Sequence, residues 1–464
     1  MITYFKISFA FLVGLIFWIC PIPNGLNVNA WHMFAIFSAT ILLVVTDALA
    51  MAPATLFGLS AMVITGTTSY QVAFSGYSHE VVWLVFIAFF IANGFVNTGL
   101  AKRIAYLFVK FFGKSSLGLA YGLCFAEACL APAIPSVTAR SGAIIYPIIE
   151  SLSKNFGSLP NSKTSKKIGC FLMLVAFQAS MVTSAMFLTA MAGNPMVVKL
   201  AQNSGINLNW GNWALYAIVP AICSLISIPV LIYKLAPPEL KDTPDAPKIA
   251  QKYLDEMGSL SRNEWIMLAT FILLLFLWVI GAKFGISAIS AAFLGFAILI
   301  ITKILKWEEL LSVKAAFDTF IWFGAFVAMA DAMNSTGLTL WFGNNASFLM
   351  SGLHWIIAFF AIVFIYFYIH YFFASSTAHI GALYSPFLIT ALNLNIPAFP
   401  MALALAYASS LYGGLTHYGF GSAPILYGAG FVDLRTWWKI GFFVSILNFA
   451  IWICIGGLWW WWLG

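Results

Sequence analysis

Long apolar runs alternate with short polar segments along almost the whole chain. A helix that crosses a bilayer needs about 20 mostly apolar residues. We predict membrane-spanning helices at 7–23, 30–47, 50–66, 80–99, 168–200, 213–234, 265–281, 284–304, 318–336, 398–432 and 437–462. Two further apolar stretches, 115–152 and 353–392, are each interrupted in the middle by hydroxyl residues. The pattern predicts an all-α polytopic membrane protein with about 11 transmembrane helices and two interrupted segments.

The two interruptions are copies of one another. Ser136–Arg140, which reads Ser-Val-Thr-Ala-Arg, recurs 239 residues later as Ser375–His379, which reads Ser-Ser-Thr-Ala-His. Upstream, Asn97–Leu100 recurs as Ser335–Leu338 at an offset of 238. Whole helices were therefore duplicated together with the motif. Such repeats are typical of transporters that hold a substrate between two halves.

Basic residues indicate how the first interrupted segment lies in the membrane. Lys102–Lys114 precedes it and Lys154–Lys167 follows it, and both flanks are rich in lysine. Because basic loops are cytoplasmic, the segment should enter and leave on that side as a re-entrant hairpin with its tip at 131–138. A non-helical turn at membrane depth must be buried in protein or line a wet cavity. The tip is therefore a candidate site.

The same reasoning gives the orientation of the whole chain. With the N-terminus in the cytoplasm, the C-terminus lies outside, and most Lys and Arg residues lie on the cytoplasmic side. The exceptions are Lys199, Lys283 and, at the first tip, Arg140.

The two repeats should point in opposite directions. The helix that ends at Leu100 leads into a basic cluster, whereas its copy that ends at Leu338 leads into an uncharged segment. The second hairpin would then enter from the outer side and meet the first near the midplane, as in alternating-access carriers. We predict an N-terminal first span at 1–29, a first inverted repeat at 30–234, a charged cytoplasmic linker at 235–264 and a second inverted repeat at 265–464.

Composition agrees with a membrane protein. Hydrophobic residues make up 62% of the 464 residues and charged residues only 8%, so the chain has too little polar surface for a water-soluble globule. We attribute the net charge of +7 to cytoplasmic loops rather than to a nucleic-acid partner. The six cysteines show no C-x-x-C spacing, which indicates neither a disulfide framework nor a zinc site. No nucleotide-binding loop is present, and we predict neither a cofactor nor a metal.

Each hairpin tip combines hydroxyl side chains with the start of a return helix. A helix N-terminus carries about half a positive charge and offers N–H groups to anions. A ligand with two carboxylates, one bound at each tip, is the simplest ligand that would use both copies of the motif. The candidate binding residues at the tips are Ser136, Val137, Thr138, Ser375, Ser376 and Thr377.

Two of the long spans contain glycine and proline breaks in corresponding positions of the two repeats. The first break is 189–195 and the second is 416–424. A single break often only kinks a membrane helix, but paired breaks in repeated positions point to a binding site. The candidate residues at the breaks are Thr189, Gly193, Asn194, Thr416, His417, Gly421 and Ser422.

Arg140 and His379 occupy equivalent positions, two residues after the motif threonine. An ionisable residue at membrane depth is costly and usually functional, so both are candidates for balancing the charge of an anionic substrate. The alternative for Arg140 is a structural ion pair with Glu127 or Glu150. For His379, and likewise for His417, the alternative is a packing role. Other acids of the apolar segments lack a repeated partner and are assigned no transport role: Asp47, Glu80, Glu127, Asp318 and Asp331.

At these residues the chain resembles the divalent anion:sodium symporter (DASS, or INDY-type) family of dicarboxylate and citrate carriers. The hallmark of that family is a Ser-Asn-Thr triplet at each hairpin tip, which 136–138 and 375–377 resemble. The segments 131–140 and 416–430 are most similar to the branch of citrate/succinate, tartrate/succinate and 2-oxoglutarate/malate exchangers. The resemblance covers essentially the full length. It implies a homodimer in a bacterial-type inner membrane, in which each protomer moves a transport domain like an elevator against a scaffold domain.

The chain departs from the family motif at the triplet asparagine, which helps to bind substrate and sodium in sodium-coupled members. Val137 and Ser376 stand in its place, and valine offers no oxygen ligand. Arg140 and His379 would repel a cation while supplying positive charge. We therefore expect a sodium-independent exchanger of C4 and C5 dicarboxylates such as succinate, malate, fumarate and 2-oxoglutarate.

Two alternatives remain at this point. The first is a sodium-coupled dicarboxylate or citrate symporter that uses backbone carbonyls as sodium ligands. The second, more distant, is an intramembrane serine hydrolase that uses Ser136 or Ser375 with His379 or His417. A duplicated, inverted site argues against the hydrolase, because two-sided transport needs such a site and a one-site catalyst does not.

Overall fold

The computed structural model describes residues 2–464, and of Ile2 only the backbone. In this part of the chain the secondary structure is helical, apart from an isolated β-bridge between Ser115 and Asp242. The α-helices are α1 (Ile2–Ile19), α2 (Val28–Val45), α3 (Met51–Ile64), α4 (Tyr70–Phe74), α5 (Glu80–Thr98), α6 (Leu100–Phe112), α7 (Ser116–Leu130), α8 (Val137–Ala139), α9 (Tyr146–Asn155), α10 (Gly169–Met186), α11 (Gly193–Gln202), α12 (Trp210–Leu235), α13 (Ala246–Met257), α14 (Arg262–Ile280), α15 (Ala288–Ile301), α16 (Trp307–Leu310), α17 (Lys314–Ser335), α18 (Leu338–Leu349), α19 (Trp355–Tyr368), α20 (Ser376–Asn393), α21 (Ala398–Leu411), α22 (Ala423–Gly428), α23 (Leu434–Ala450) and α24 (Gly456–Leu463).

Helices lie at every predicted span. Among residues 2–464, nine helical segments are long and apolar enough to cross a membrane. Eight of them lie at predicted spans, and the ninth is α19, the first arm of the second hairpin. The other three predicted spans are occupied by the shorter apolar helices α1, α3 and α15. The prediction of an all-α polytopic membrane protein is confirmed.

Both predicted breaks interrupt their spans. In the first, α10 ends at Met186, a 3₁₀ turn follows at Leu188–Ala190, and the helix resumes at Gly193. In the second, α21 is followed by the 3₁₀ turn Tyr412–Leu415 and by non-helical residues 416–422 before α22 begins. Proline in the first turn of α22 fits this arrangement, because proline lacks the N–H that a first turn leaves unpaired.

Each interrupted segment folds back on itself. In the first, the Nε of Arg140 lies 2.8 Å from the Oε1 of Glu127, whereas a continuous helix would separate these residues by about 20 Å. In the second, the ring centroids of Tyr366 and Phe387 are 5.3 Å apart, although 21 residues separate them in the chain. The two segments are therefore helical hairpins. The return arm of the first contains a π-helical stretch at Arg140–Ile145 between α8 and α9.

The chain forms two compact units, each assembled from both sequence halves. Unit 1 consists of Met1–Phe86, Ala192–Leu208 and Val313–Ser409, and unit 2 of Ile87–Met191, Asn209–Ser312 and Ser410–Gly464. Unit 1 contains the second hairpin, whose return arm α20 packs on α11. Unit 2 contains the first hairpin, whose π-helical stretch packs on α22. Each hairpin thus packs on the segment that follows the break of the other repeat.

The duplicated helices keep the same local geometry. Gly99 and Gly337 precede α6 and α18 with left-handed backbones, at φ values of 78° and 80°. Glycine takes this conformation without the steric cost that a side chain would add. The hydroxyls of Thr98 and Thr336 each donate a 2.8 Å hydrogen bond to the carbonyl four residues earlier. The repeat inferred from sequence therefore extends to individual hydrogen bonds.

The predicted linker contains a helix, α13. Its buried residues Ala246, Ala250 and Leu254 are spaced four apart and form one apolar stripe. α13 packs on α6, and Arg103 of α6 forms a 2.5 Å ion pair with Glu264 at the start of α14. Charged residues dominate this segment, and its apolar stripe has only three residues, so the sequence alone did not indicate a helix there. The proposed boundaries of the repeats and linker remain predictions.

Candidate functional site

The first hairpin tip presents two hydroxyls at the start of its return arm. Ser136 caps that arm, since its Oγ accepts a hydrogen bond of 3.2 Å from the N–H of Ala139. Ser136 is half-buried and Thr138 is exposed, while Val137 is buried. The valine side chain therefore packs into the protein. The hydroxyls of Ser136 and Thr138 are the side-chain groups that this tip can offer to a ligand.

Gly421, in the second break, lies directly against Thr138. A Cβ at position 421 would lie 2.6 Å from the Oγ1 of Thr138. The neighbouring Ser422 is fully buried, and its Oγ has no hydrogen-bond partner among the described residues. A buried hydroxyl without a partner costs free energy that a ligand can recover. Unit 2 thus brings the first tip against the second break, where Ser422 carries a buried hydroxyl without a partner in the described protein.

Two other residues of the second break hold its loop in place. The Oγ1 of Thr416 accepts a hydrogen bond of 2.8 Å from the N–H of Gly419. The Nδ1 of His417 accepts one of 3.1 Å from the indole Nε1 of Trp438, which fixes the histidine tautomer with its proton on Nε2. Both predicted residues are therefore positioned by protein contacts.

Arg140 is fully buried, and its guanidinium contacts the first hairpin, α10 and the first break. Its Nε donates to Glu127 at 2.8 Å, and its Nη2 donates to the Oγ of Ser184 at 3.1 Å. Its Nη1 donates to the carbonyls of Ile134 and Ala190. Of the two acids that the sequence offered as partners, the structure selects Glu127. Glu127 balances the arginine charge inside the hairpin, and the hydrogen bond from Arg140 to the carbonyl of Ile134 holds the backbone of the tip.

The other acid and the residues of the first break each have contacts of their own. Glu150 forms an exposed ion pair of 2.9 Å with Lys154. The hydroxyl of Thr189 donates to the carbonyl of Pro132 at 2.7 Å and accepts from the indole of Trp210 at 3.1 Å. Its proton is therefore committed to the backbone of the tip. The other two predicted residues of this break, at the start of α11, are buried: Gly193 and Asn194.

The second tip, in unit 1, repeats the cap of the first. The Oγ of Ser375 accepts a hydrogen bond of 3.3 Å from the N–H of Ala378 and lies 3.0 Å from the Oγ1 of Thr377. Thr377 also contacts the sulfur of Met51 at 3.4 Å. Ser376, which replaces the second asparagine, is buried. This tip likewise offers two half-buried hydroxyls, those of Ser375 and Thr377, at the start of a helix.

His379 differs from Arg140 in its partners. Its Nδ1 lies 3.0 Å from the Nδ1 of His370, and both imidazoles are fully buried. The ring of Tyr366 meets that of His379 edge-on at 4.6 Å. Tyr366 lies 239 residues after Glu127, so an aromatic ring takes the place of the acid in the second copy. His370 was not among the candidate site residues of the sequence.

Equivalent glycines bring each return arm close to its neighbour. A Cβ at Gly142 would lie 2.8 Å from Ile425, and a Cβ at Gly381 would lie 3.1 Å from Met196. Both pairs join a hairpin to the segment after the break of the other repeat. These partners are more than 180 residues apart in the chain, and sequence reasoning missed them because no local pattern records such contacts.

Comparison with known proteins assigns the family. The profile of the family described as the sodium:sulfate symporter transmembrane region matches residues 2–464. Dicarboxylate transporter 1, chloroplastic, of Spinacia oleracea is 48% identical over 452 residues, covering 97% of this chain and 79% of that protein. The putative malate transporter YflS of Bacillus subtilis is 48% identical over 449 residues, covering 97% and 94%. The L-tartrate/succinate antiporter of Escherichia coli is 34% identical over 464 residues, covering 95% and 94%.

A solved structure shares the fold. The crystal structure of the Alcanivorax borkumensis YdaH transporter aligns with a TM-score of 0.60 at 14% sequence identity, covering 94% of this chain and 98% of that one. The family profile, the relatives and the duplicated hairpin motif agree. The chain therefore belongs to the sodium:sulfate symporter family, the divalent anion:sodium symporters that its hairpin motifs resemble, and is a multi-pass membrane transporter rather than an enzyme.

Proposed function

We propose that this protein exchanges C4 and C5 dicarboxylates, such as succinate, malate, fumarate and 2-oxoglutarate, across the membrane without sodium. The names of the relatives, which include dicarboxylate transporters, a putative malate transporter and a tartrate/succinate antiporter, support dicarboxylates as the substrate class. The observation that carries the proposal is the pair of capped tips. Each offers two hydroxyls at the start of a return arm, where anions bind.

We propose that sodium is not needed because of the middle residues of the two triplets, Val137 and Ser376. A hard cation requires several oxygen ligands. Val137 is buried and has no side-chain oxygen, and Ser376 is also buried. Positive charge at the tips would instead come from helix N-termini and polarised N–H groups. Arg140, whose charge is balanced by Glu127, would act as a positioning residue that holds the first tip closed.

The antiporter among the relatives supports exchange rather than one-way transport. The Oγ of Ser422 is buried and lacks a partner in the described protein, and a bound carboxylate would remove the cost of that unpaired hydroxyl. We propose that the movement is elevator-like, in a homodimer, within a bacterial-type inner membrane and with a cytoplasmic N-terminus. The family resemblance supports the first three points, and the distribution of basic residues supports the fourth.

Binding of succinate to the purified protein tests the substrate class and the absence of sodium together. We expect calorimetry to give the same Kd in potassium and sodium buffers, because no step of binding needs sodium. Butyrate, which has one carboxylate, serves as the control and should bind at least tenfold more weakly, since about 1.4 kcal/mol already corresponds to that factor. Binding that appears only with sodium would favour the symporter instead.

The Ser422→Ala variant tests whether the Ser422 hydroxyl binds substrate or supports the folded structure. Since the Oγ of Ser422 has no partner in the described protein, we expect the variant to be as stable as the wild type. Its succinate Kd should rise about tenfold through loss of one hydrogen bond to a carboxylate. Ser445→Ala is the matched control, because that buried hydroxyl donates to the carbonyl of Phe442 at 2.7 Å. The control should lose some stability and keep its affinity. A Ser422→Ala protein that binds normally would contradict the assignment.

A further inference from the structure

We propose that His370 and His379 form one proton-binding site, which takes up a single proton when a dicarboxylate binds at the second tip. This inference rests on the proposed function and adds a proton as a second species that binds with the dicarboxylate. The starting observation is the contact of 3.0 Å between the two Nδ1 atoms, deep inside the second hairpin.

The shared contact limits the pair to two charge states. A hydrogen bond between two Nδ1 atoms requires that one carries a proton and the other offers its lone pair. The accepting ring then carries its own proton on Nε2, so the donor ring keeps one basic nitrogen, its Nε2. One added proton turns the donor into an imidazolium and preserves the bond. A second would destroy the bond and place two charges together. The pair is therefore neutral or singly positive.

The surroundings disfavour the charged state until an anion arrives. Both rings are fully buried, and burial disfavours the charged form of an imidazole. The helices that pack most extensively on α20 are α2, α11, α18 and α19, and none of the five contains Asp or Glu. The ionisable groups on these helices and on the adjoining 3₁₀ turn are His32, Lys199, Tyr366, Tyr368, Tyr371 and Tyr384. α17 and α21 also contact this hairpin, at Gly381 and Tyr366, and carry Lys314, Asp318, Asp331 and Tyr407. Lys199 is itself paired with Asp331 at 3.3 Å.

A carboxylate at the second tip would bring a negative charge to the helical turn that carries His379. Ser375 and Thr377, the proposed carboxylate ligands, lie four and two residues before His379 on the same helical turn. An anion there stabilises the imidazolium, and by linkage the proton stabilises the bound anion equally. The first tip has no titratable counterpart, since Arg140, at the position equivalent to His379, is permanently charged and is paired with Glu127. The two copies of one motif therefore differ, with a fixed charge in one and a titratable charge in the other.

The pH dependence of exchange tests this inference. In liposomes loaded with fumarate, whose carboxylates stay ionised over the range used, we expect the KM of the wild type to rise with pH. The limiting slope is about tenfold per pH unit for one linked proton. The double variant His370→Asn with His379→Asn removes both imidazoles and should show a flat profile. His354→Asn is the control, because His354 is exposed at the start of α19; it should keep the wild-type slope. Equal slopes in the wild type and the double variant would overturn the inference.

Direct proton counting covers the case in which the double variant does not fold. Wild-type protein in weakly buffered detergent solution is mixed with fumarate adjusted to the same pH, and an indicator dye reports the change. We expect uptake of up to about one proton per bound fumarate. Binding heat without proton uptake at any pH across the range would overturn this inference and leave the exchanger intact. Absence of binding heat would overturn the proposed function instead.

Discussion

Replacing Glu127 by glutamine should destabilise the protein by about 3–5 kcal/mol, because it leaves the buried Arg140 guanidinium without its balancing charge. Arg140 is fully buried and Glu127 is 3% exposed, so water cannot compensate for the lost carboxylate. The two side chains join the arms of the first hairpin, and we expect the tip to open when the pair is broken. The midpoint of thermal unfolding in detergent should fall sharply, and succinate exchange should be lost.

Glu150→Gln provides the matched control for this prediction. It removes a carboxylate from the same hairpin, but its ion pair with Lys154 lies on the surface, with the two side chains 30% and 53% exposed. Exposed pairs of this kind contribute little to stability. The control should unfold at the wild-type temperature and transport normally. If Glu127→Gln behaves like the control, the ion pair does not hold the hairpin.

Gly421→Ala should raise the KM for succinate by about 10- to 100-fold while the protein stays folded. The new Cβ would lie 2.6 Å from the Oγ1 of Thr138, so the threonine hydroxyl must turn away from its present position. A hydrogen bond to a charged group contributes about 1.5–3 kcal/mol, which corresponds to that range of affinity. Initial rates of exchange at several succinate concentrations measure the effect.

Gly428→Ala, seven residues farther along, is the control for that substitution. A Cβ at Gly428 has nothing within 4 Å, so the change should leave both stability and KM unaltered. A Gly421→Ala protein with the wild-type KM would mean that the Thr138 hydroxyl does not bind substrate. A protein that fails to fold would mean that position 421 supports structure instead.

The sequence predicted the spans and the places where helices break, because apolar length, glycine, proline and duplicated hydroxyl motifs are local signals. It narrowed the partner of Arg140 to Glu127 or Glu150 without deciding between them. That choice depends on where the chain turns. α7 ends at Leu130 and the return arm begins at Val137, which brings position 127 opposite position 140. Glu150 lies farther along the return arm itself.

Other parts of the candidate site left no trace in the sequence. His370 has no ionisable counterpart in the first copy, where Ala131 occupies the equivalent position, so the repeat gave no hint of a histidine pair. The packing of each hairpin on the other repeat's segment joins residues far apart in the chain, such as Gly142 and Ile425. Contacts of this kind depend on how helices pack, and a single sequence does not record them.

Counter-transport in liposomes distinguishes sodium-independent exchange from sodium-coupled uptake. Purified protein is reconstituted into vesicles that are either empty or loaded with unlabelled succinate, and uptake of labelled succinate is followed in sodium and in potassium buffer. We expect uptake only into loaded vesicles, at equal rates in the two buffers. Uptake into empty vesicles driven by an inward sodium gradient would contradict it and establish a sodium-coupled symporter.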